Sequence, residues 1–481
     1  MAIDRTLLLP KSPHNTVHAK YISEQNQLLF TRSDSWLASP YALKSNEAQS
    51  FFKSKGLNGQ PRNVPTTTND VQRKKTSVLL QCATVVACLV SILLSMGLGY
   101  SLSVLYAELI REFSADRSLV ALNQSIYEAL LAVGGALWSY PVSRLGYGYC
   151  IMIGGLLGSV CVAVCSVATN VPTIIVLVGL LSGACFGVVY MGPFVVAGDI
   201  SSKHKSAVIG FVSIGSSLGQ FTMSYAMEKG IEEYGWKGAL LILGALCLNT
   251  IPCGMLMVVL QRSQRSNGNV TSSASAKKSL FKPKLFKSKL FWLLLFNSIL
   301  LAFSALAESR FLVDIAELRG YSRSQGSFLI QLVGAGNLFG GLMGSVSKVA
   351  CQLSSAAHMA YWILVIGASH VMVVYLMSYA GLIGAAVVNG VGIGNIYAHV
   401  AVALYEIYGT EDYAPSFATW NVMKGVGNFM GGFLGGYIQD TTHSYDLLFQ
   451  SSTIMSVFYS LTFAGICFYR WNRRSAYVPL K

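Results

Sequence analysis

Arg262–Lys289 reads RSQRSNGNVTSSASAKKSLFKPKLFKSK. It carries eight Lys and Arg residues and no Asp or Glu. Apolar segments long enough to be helices crowd both sides of it. A long basic loop rich in Ser and Asn, set between hydrophobic blocks, belongs on the cytosolic side of a membrane, because positive charge is retained there during insertion. The rest of the chain can be counted outward from that assignment.

Composition agrees. The chain has 481 residues, of which 53% are hydrophobic and only 12% charged, with a mean hydropathy of +0.51. A soluble chain carries a charged share of about 25%, and many apolar stretches of about 20 residues define a polytopic membrane protein. The net charge of +14 sits in the tails and the central loop, where it meets anionic lipid; membrane lipid is thus an expected partner and nucleic acid is not. The cysteines lie in or beside apolar segments as small packing residues, with no CxxC pair to hold a metal. The opening MAIDRTLLLPKS has too short an apolar core for a signal peptide, so the first membrane helix is expected to act as the insertion signal.

Helices are expected at about 77–106, 119–141, 149–169, 172–197, 206–227 and 238–261, then at about 290–315, 325–348, 359–379, 381–408, 416–438 and 446–469. The fold class is therefore all-α and polytopic, with twelve transmembrane helices in two six-helix bundles. The divisions are a disordered cytosolic tail (1–76), an N-terminal bundle (77–261), the basic cytosolic loop (262–289), a C-terminal bundle (290–469) and a cytosolic tail (470–481). An even count puts both termini in the cytosol. Arg144, the Lys203-His204-Lys205 cluster, and Arg470, Arg473 and Arg474 then also lie inside, and the acidic segment from Glu228 to Glu233 lies outside. Glycine pairs recur through both halves, which lets backbones approach closely; static packing and sliding bundles both explain them.

Particular strings resemble the monocarboxylate transporter family of the major facilitator superfamily. SVLYAELIREFSADRS (Ser103–Ser118) is similar to that family's helix-one end, and RLGYGYCIMIGGLLGS (Arg144–Ser159) to its helix two–three hairpin. SKHKSAVIGFVSIGSSLG (Ser202–Gly219) resembles the helix-five signature through Lys203, Lys205, Gly210, Gly215 and Gly219. FLVDIAELRGYSRSQGSFLIQ (Phe311–Gln331) and GGYIQDTTHSYDLLF (Gly435–Phe449) resemble the seven–eight and eleven–twelve connections. The resemblance implies the major facilitator fold, alternating access at the plasma membrane, a small organic solute carried with or without a proton in symport, and a single-span glycoprotein chaperone as a partner. The departures bear on substrate. KKTSVLLQ (Lys74–Gln81) replaces the family's helix-one start; Tyr100 stands where proton-coupled members carry a lysine; Asn337 and Gly341 stand where many carry the helix-eight Asp and Arg. The ion pair of proton–lactate symport is therefore missing from its usual place.

Ionisable side chains inside apolar helices are costly and face a cavity or a partner. Glu128 lies about 13 Å into helix two, with Gln124 one turn away on the same face, and Lys424 lies about 12 Å into helix eleven. Helices two and eleven meet between the halves in the superfamily, so a Glu128–Lys424 contact is expected to bridge the bundles in one access state; local satisfaction, or snorkelling of Lys424, competes with it. Lys203 and Lys205 join them as candidate gating residues. Glu308 and Arg310 lie about 28 and 31 Å along helix seven. Two residues apart, they do not share a face. A polar stripe of Asn297, Ser304 and Glu308 favours Glu308 as the cavity residue; the family alignment favours Arg310, which can hold a carboxylate bidentately or else meet headgroups. Tyr100 and Asn337 complete the candidate substrate-binding set, and Tyr190 and Asn395 are further candidate cavity liners. His399 suits either a proton relay or packing, and His370 is expected to be peripheral.

No phosphate loop, nucleophile motif or metal cluster is present in the sequence, so the expected function is non-enzymatic and needs no cofactor. It is secondary active or facilitative transport of monocarboxylates or related small metabolites. A facilitator of an amino acid, an aromatic hormone-like molecule or another neutral solute is the alternative, and a transport-dead receptor or scaffold is another.

Overall fold

The computed structural model describes residues 68–200, 205–266, 284–351 and 353–475. Contacts divide the chain into Met1–Val71 and Gln72–Lys481, and apart from the first four residues of α1 everything below lies in the second unit. The expected tail lies outside the described residues over 1–67, as do 267–283 of the basic loop, Lys203, and the last six residues.

The described chain is a succession of helices with no strand among the described residues. In the N-terminal half α1 is Thr68–Phe113, α2 Arg117–Leu137 and α3 Tyr147–Val164. A fourth rod, α4, joins Val171–Ile174, a π-helical stretch Ile175–Ser182, and Gly183–Ile200. Lys205–Cys247 turns at Gly235, whose φ of 69° only glycine adopts readily; residues 205–234 are α5, and 236–247 with Thr250–Ser266 form α6. In the C-terminal half α7 comprises Lys289–Ala305 and Ala307–Leu318, α8 is Arg323–Cys351 and α9 Ser355–Tyr375. Tyr379–Thr442 turns at Gly409 (φ 70°) into α10 (379–408) and α11 (410–442), and α12 is Asp446–Ser475. Starts are set by side-chain caps where the sequence supplies them. Ser354 accepts from the Ala357 amide at the head of α9, and Ser378 from the Gly381 amide at the head of α10.

Ten helices among the described residues are long and apolar enough to cross a membrane. One of these, Val208–Ser263, runs across the Gly235 turn, so it counts as two rods. The expected twelfth is α11, a full-length helix that falls short on hydropathy. Its polar groups Ser416, Thr419, Asn421, Lys424, Asn428 and Gln439 are all buried, and its composition reflects an interior seam rather than a lipid face.

Elsewhere the distribution of polarity is reversed relative to a soluble protein. Leu156, Leu157, Val160, Leu180, Phe296, Phe458 and Leu461 point outward and are exposed, while Ser91, Ser95, Asn123, Gln124, Asn389 and Ser456 are buried. Leaving that many large apolar side chains in water would forgo about 1.5–3 kcal/mol each; in a bilayer they face hydrocarbon. Many of the buried hydroxyls meet their own helices, as Ser91 Oγ does at 2.8 Å from the Ala87 carbonyl, which satisfies them without water.

The halves are held by close glycine contacts. Within the first half α2 and α4 touch through Gly134 and Gly187, where a Cβ on Gly187 would stand 2.5 Å from Gly134 Cα. Gly134→Val is therefore expected to force the two helices apart and to lower the thermal unfolding temperature in detergent by many degrees, with Ala intermediate; an unchanged melting curve would show that the crossing yields. Between the halves α2 lies along α11, where a Cβ on Gly436 would stand 2.7 Å from the Arg117 carbonyl oxygen. Across the other seam α5 meets α8, with Gln220 Nε2 3.3 Å from Ser309 Oγ of α7 nearby.

Candidate functional site

Midway along α2, Glu128 is buried at 6% exposure. Gln124, one turn earlier, donates from Nε2 to Glu128 Oε1 at 3.1 Å. Opposite stands α7, which breaks at Leu306 (φ −98°, ψ 1°). The break lies beside Ser304, whose hydroxyl turns away to Ser456 Oγ at 2.9 Å on α12. Helical residues two apart diverge by about 200°, so Glu308 and Arg310 point in opposite directions. Arg310, 2% exposed, points across the seam and donates from Nη2 to Glu128 Oε2. It thereby joins the two halves through a buried ion pair. Gly431 of α11 makes room for it: a Cβ there would stand 2.9 Å from Arg310 Nη1. Arg310 Nε and Nη1 have no hydrogen-bond partner, which leaves two donor nitrogens of the guanidinium for a further acceptor.

In this conformation Glu128 is paired with Arg310 and not with Lys424. Arg310 takes the carboxylate, because past the α7 break at Leu306 its side chain points toward α2. Lys424 is buried, stands with Nζ 4.8 Å from the centre of the Tyr397 ring, and remains within electrostatic reach of Glu128. A cation over an aromatic face is favourable, and the ring gives the ammonium a position without a formal countercharge. Tyr100 is buried beside Ser216, within electrostatic reach of Glu128, Tyr190 and Arg310. Tyr397 has Tyr100, Tyr190, Glu128 and Arg310 around it. The centre of the protein thus holds one carboxylate, one guanidinium and one ammonium, a sum of −1 + 1 + 1 = +1, faced by three tyrosines.

The other expected residues lie elsewhere. Glu308 is fully buried within the C-terminal bundle, 4.0 Å from Nε2 of His370. It belongs to an internal cluster and not to the Arg310 layer, and His370 is corrected from a peripheral residue to a fully buried one. The Asn337 backbone packs against Gly390 and Gly394 of α10. His399 is buried with its ring stacked on that of His358 at 4.4 Å. Lys205 is the first residue of α5. The buried Asn395 hydrogen-bonds to the Val391 carbonyl of its own helix at 2.9 Å.

A second constellation is not apparent in the sequence. It lies at the end of the bundle opposite Ser266 and Lys289, where α6 ends and α7 begins, here called the distal end. Arg117 at the head of α2 grips Asp314 of α7 with two bonds, Nε to Oδ2 at 2.8 Å and Nη2 to Oδ1 at 3.3 Å. Tyr445 donates to Asp314 Oδ2 at 2.6 Å and lies 3.2 Å from the Tyr106 hydroxyl. Asp440 of α11 accepts from the backbone amides of Arg117 and Ser118 at 2.9 and 2.8 Å. A carboxylate from one half thus caps a helix of the other, where the helix dipole favours it. Arg323 of α8 meets Glu108 of α1, with its Nε 3.5 Å from Glu228 Oε2 on α5. Arg111 and Glu317 pair at 3.1 Å nearer the surface. All of these links except Tyr445 to Asp314, which lies within the C-terminal half, cross from one half to the other. The strings carrying Asp314, Arg323 and Asp440 do stand out in the sequence, but nothing local in them shows which residues they face.

Two helical halves joined by a buried ion pair at mid-depth and by a polar latch at one end define a membrane transporter of small solutes. The chain belongs to the Major Facilitator Superfamily, whose model matches residues 87–357. Within it the similar proteins are monocarboxylate transporters. Monocarboxylate transporter 4 of Gallus gallus is 24% identical over 370 residues, covering 76% of this chain and 78% of that one. Monocarboxylate transporter 12 of Rattus norvegicus is 25% identical over 405 residues, covering 78% and 83%. Among solved structures, the peptide transporter POT in complex with sulfate superposes with a TM-score of 0.64 at 12% identity, over 80% of this chain and 94% of that one. A mutant of the nucleoside transporter NupG gives 0.60 at 14%, over 80% and 99%.

Proposed function

We propose that the protein moves a small organic monoanion across the plasma membrane by alternating access. The two bundles rock about the Arg310–Glu128 layer, both termini and the basic loop face the cytosol, and Lys203 and Lys205 act at the cytosolic end. The observation that carries this reading is the central charge set. With one carboxylate against a guanidinium and an ammonium, the buried layer is one negative charge short of neutrality, and intramembrane charges require partners. A substrate carboxylate would supply it, taken by the unpartnered Arg310 donors with Lys424 close by. Tyr100, Tyr190 and Tyr397 favour an aromatic or otherwise apolar body on that carboxylate. The basic loop and the positive tails lie against anionic lipid, and a single-span chaperone is carried over from the family as a partner.

The test is uptake by proteoliposomes of a radiolabelled panel containing lactate, pyruvate, aromatic 2-oxo acids, the matching neutral amides and free amino acids. Saturable uptake of a monoanion is expected, with Lys424→Gln raising its KM at least about tenfold, as loss of a charged contact would. Uptake of the neutral amides at equal efficiency would overturn the anion, and no flux across the panel would overturn transport of this class.

A further inference from the structure

Glu308, His370 and their surroundings form a buried polar cluster that the central layer does not use. Both side chains are fully buried. Neither carboxylate oxygen of Glu308 and neither ring nitrogen of His370 makes a well-aligned hydrogen bond; the nearest polar neighbours are the Ser369 hydroxyl and the Ser304 backbone. α10 contributes Asn389, whose Nδ2 lies 3.2 Å from Ser369 Oγ. From α12 come the Phe449 ring, 5.5 Å from the imidazole, and Ser452 and Ser456, which meet Ser304. Among the described residues no Asp, Glu, Lys or Arg other than Glu308 stands at ion-pair distance from His370, and none pairs with Glu308.

A carboxylate enclosed in this way, with no cation to neutralise it and only the Ser369 hydroxyl near it, is among the most costly arrangements a membrane bundle can hold. An imidazole 4.0 Å away can accept a hydrogen bond from a carboxylic acid after a small side-chain movement. We propose that Glu308 and His370 form a proton-binding site inside the C-terminal bundle, separate from the substrate layer. A proton from water adds to a Glu308 oxygen, and the neutral acid then donates its O–H to Nε2 of His370. Release returns the proton to water and restores the carboxylate. A hard cation such as Na⁺ fits less well, since it takes oxygen ligands and the imidazole supplies none.

The site's position gives it a purpose. The α7 break at Leu306 lies between Ser304 and Glu308, and Arg310 follows two residues later. Occupancy at Glu308 therefore acts on the segment that aims Arg310 at Glu128, and a proton bound here drives solute movement. This last step rests on the transport reading above; the proton site itself does not.

The experiment is an infrared pH titration of the purified full chain in nanodiscs, comparing wild type, Glu308→Gln and His370→Gln, repeated with Na⁺ replaced by choline. A carboxylic-acid C=O band that titrates in wild type is expected to vanish in Glu308→Gln. His370→Gln should shift the proton concentration at half-occupancy about tenfold, the effect of one pKa unit. Should Glu308→Gln fail to fold, the His370→Gln midpoint decides the matter. No titrating band, an unmoved midpoint in His370→Gln, or a band abolished by Na⁺ would each overturn the proposal. In proteoliposomes an inward proton gradient should stimulate uptake by wild type and not by Glu308→Gln. If no solute moves at all, the transport reading fails while the infrared result stands.

Discussion

Arg310→Ala is expected to destabilise the protein by about 3–5 kcal/mol, because it strands Glu128 as an uncompensated buried charge. Glu128 is 6% exposed, and what remains to it is the Gln124 amide at 3.1 Å, with Lys424 in electrostatic reach but held over the Tyr397 ring. Glu128→Gln alone should be similarly costly, since it leaves the guanidinium buried without its anion. The informative variant is the double replacement Glu128→Gln with Arg310→Met. It removes both charges and keeps both volumes, and replacing a buried ion pair by well-packed neutral groups is often neutral or stabilising. Chemical unfolding in detergent should therefore show two unstable single variants and a double variant near wild type. Transport should be lost in all three, because the double variant restores packing and not the anion site. A stable Arg310→Ala protein would mean that water reaches the pair and that the halves are not joined there.

Much of this arrangement can be read along the chain, and one kind of information cannot. Depth along a helix is a matter of counting residues at 1.5 Å each, so the sequence alone puts Glu128 and Lys424 at comparable depths in α2 and α11. The turns at Gly235 and Gly409 are legible because the hydrophobic pattern lapses there. Rotation about a helix axis is not legible in α7. The break at Leu306 resets the direction of everything after it, and Glu308 and Arg310 then part company, one into the C-terminal bundle and one toward α2. A stripe of Asn297, Ser304 and Glu308 assumes one unbroken helix, and the break is where that assumption fails. The choice of Arg310 over Lys424 as partner of Glu128 follows from the same rotation. α11 illustrates a different limit. Its polarity lowers its hydropathy below that of a lipid-facing helix, yet that polarity is what an interior seam requires. The distal latch needs six helices and the α11–α12 turn brought together, and no spacing along the chain encodes that.

The latch carries the second large expected effect. Asp314→Ala combined with Asp440→Ala should open the distal end. Asp314 is almost fully buried and receives two bonds from Arg117 and one from Tyr445. Asp440 receives two backbone amides at the head of α2. Hydrogen bonds to a charged group contribute about 1.5–3 kcal/mol each net, and the four that come from Arg117 and Ser118 couple the halves only while the distal end is closed. Removing both carboxylates should therefore shift the closed–open equilibrium at least about a hundredfold toward open, since about 1.4 kcal/mol is a factor of ten. Spin labels at Glu112 and Thr442, both exposed and on opposite halves of the distal end, report the change by electron–electron resonance. Wild type should give a short, narrow distance distribution and the double variant a longer one. Arg111→Ala serves as the control. Its partner Glu317 is reached from a side chain that is 59% exposed, and such surface pairs contribute about 0–1 kcal/mol, so its distribution should match wild type. If the double variant also matched wild type, closure would rest on the apolar packing of Tyr106, Phe311 and Tyr445 and the carboxylates would merely decorate it. If it opens, the distal latch and the Arg310–Glu128 pair divide the work by depth: the latch sets which side is shut, and the pair sets what the closed centre holds.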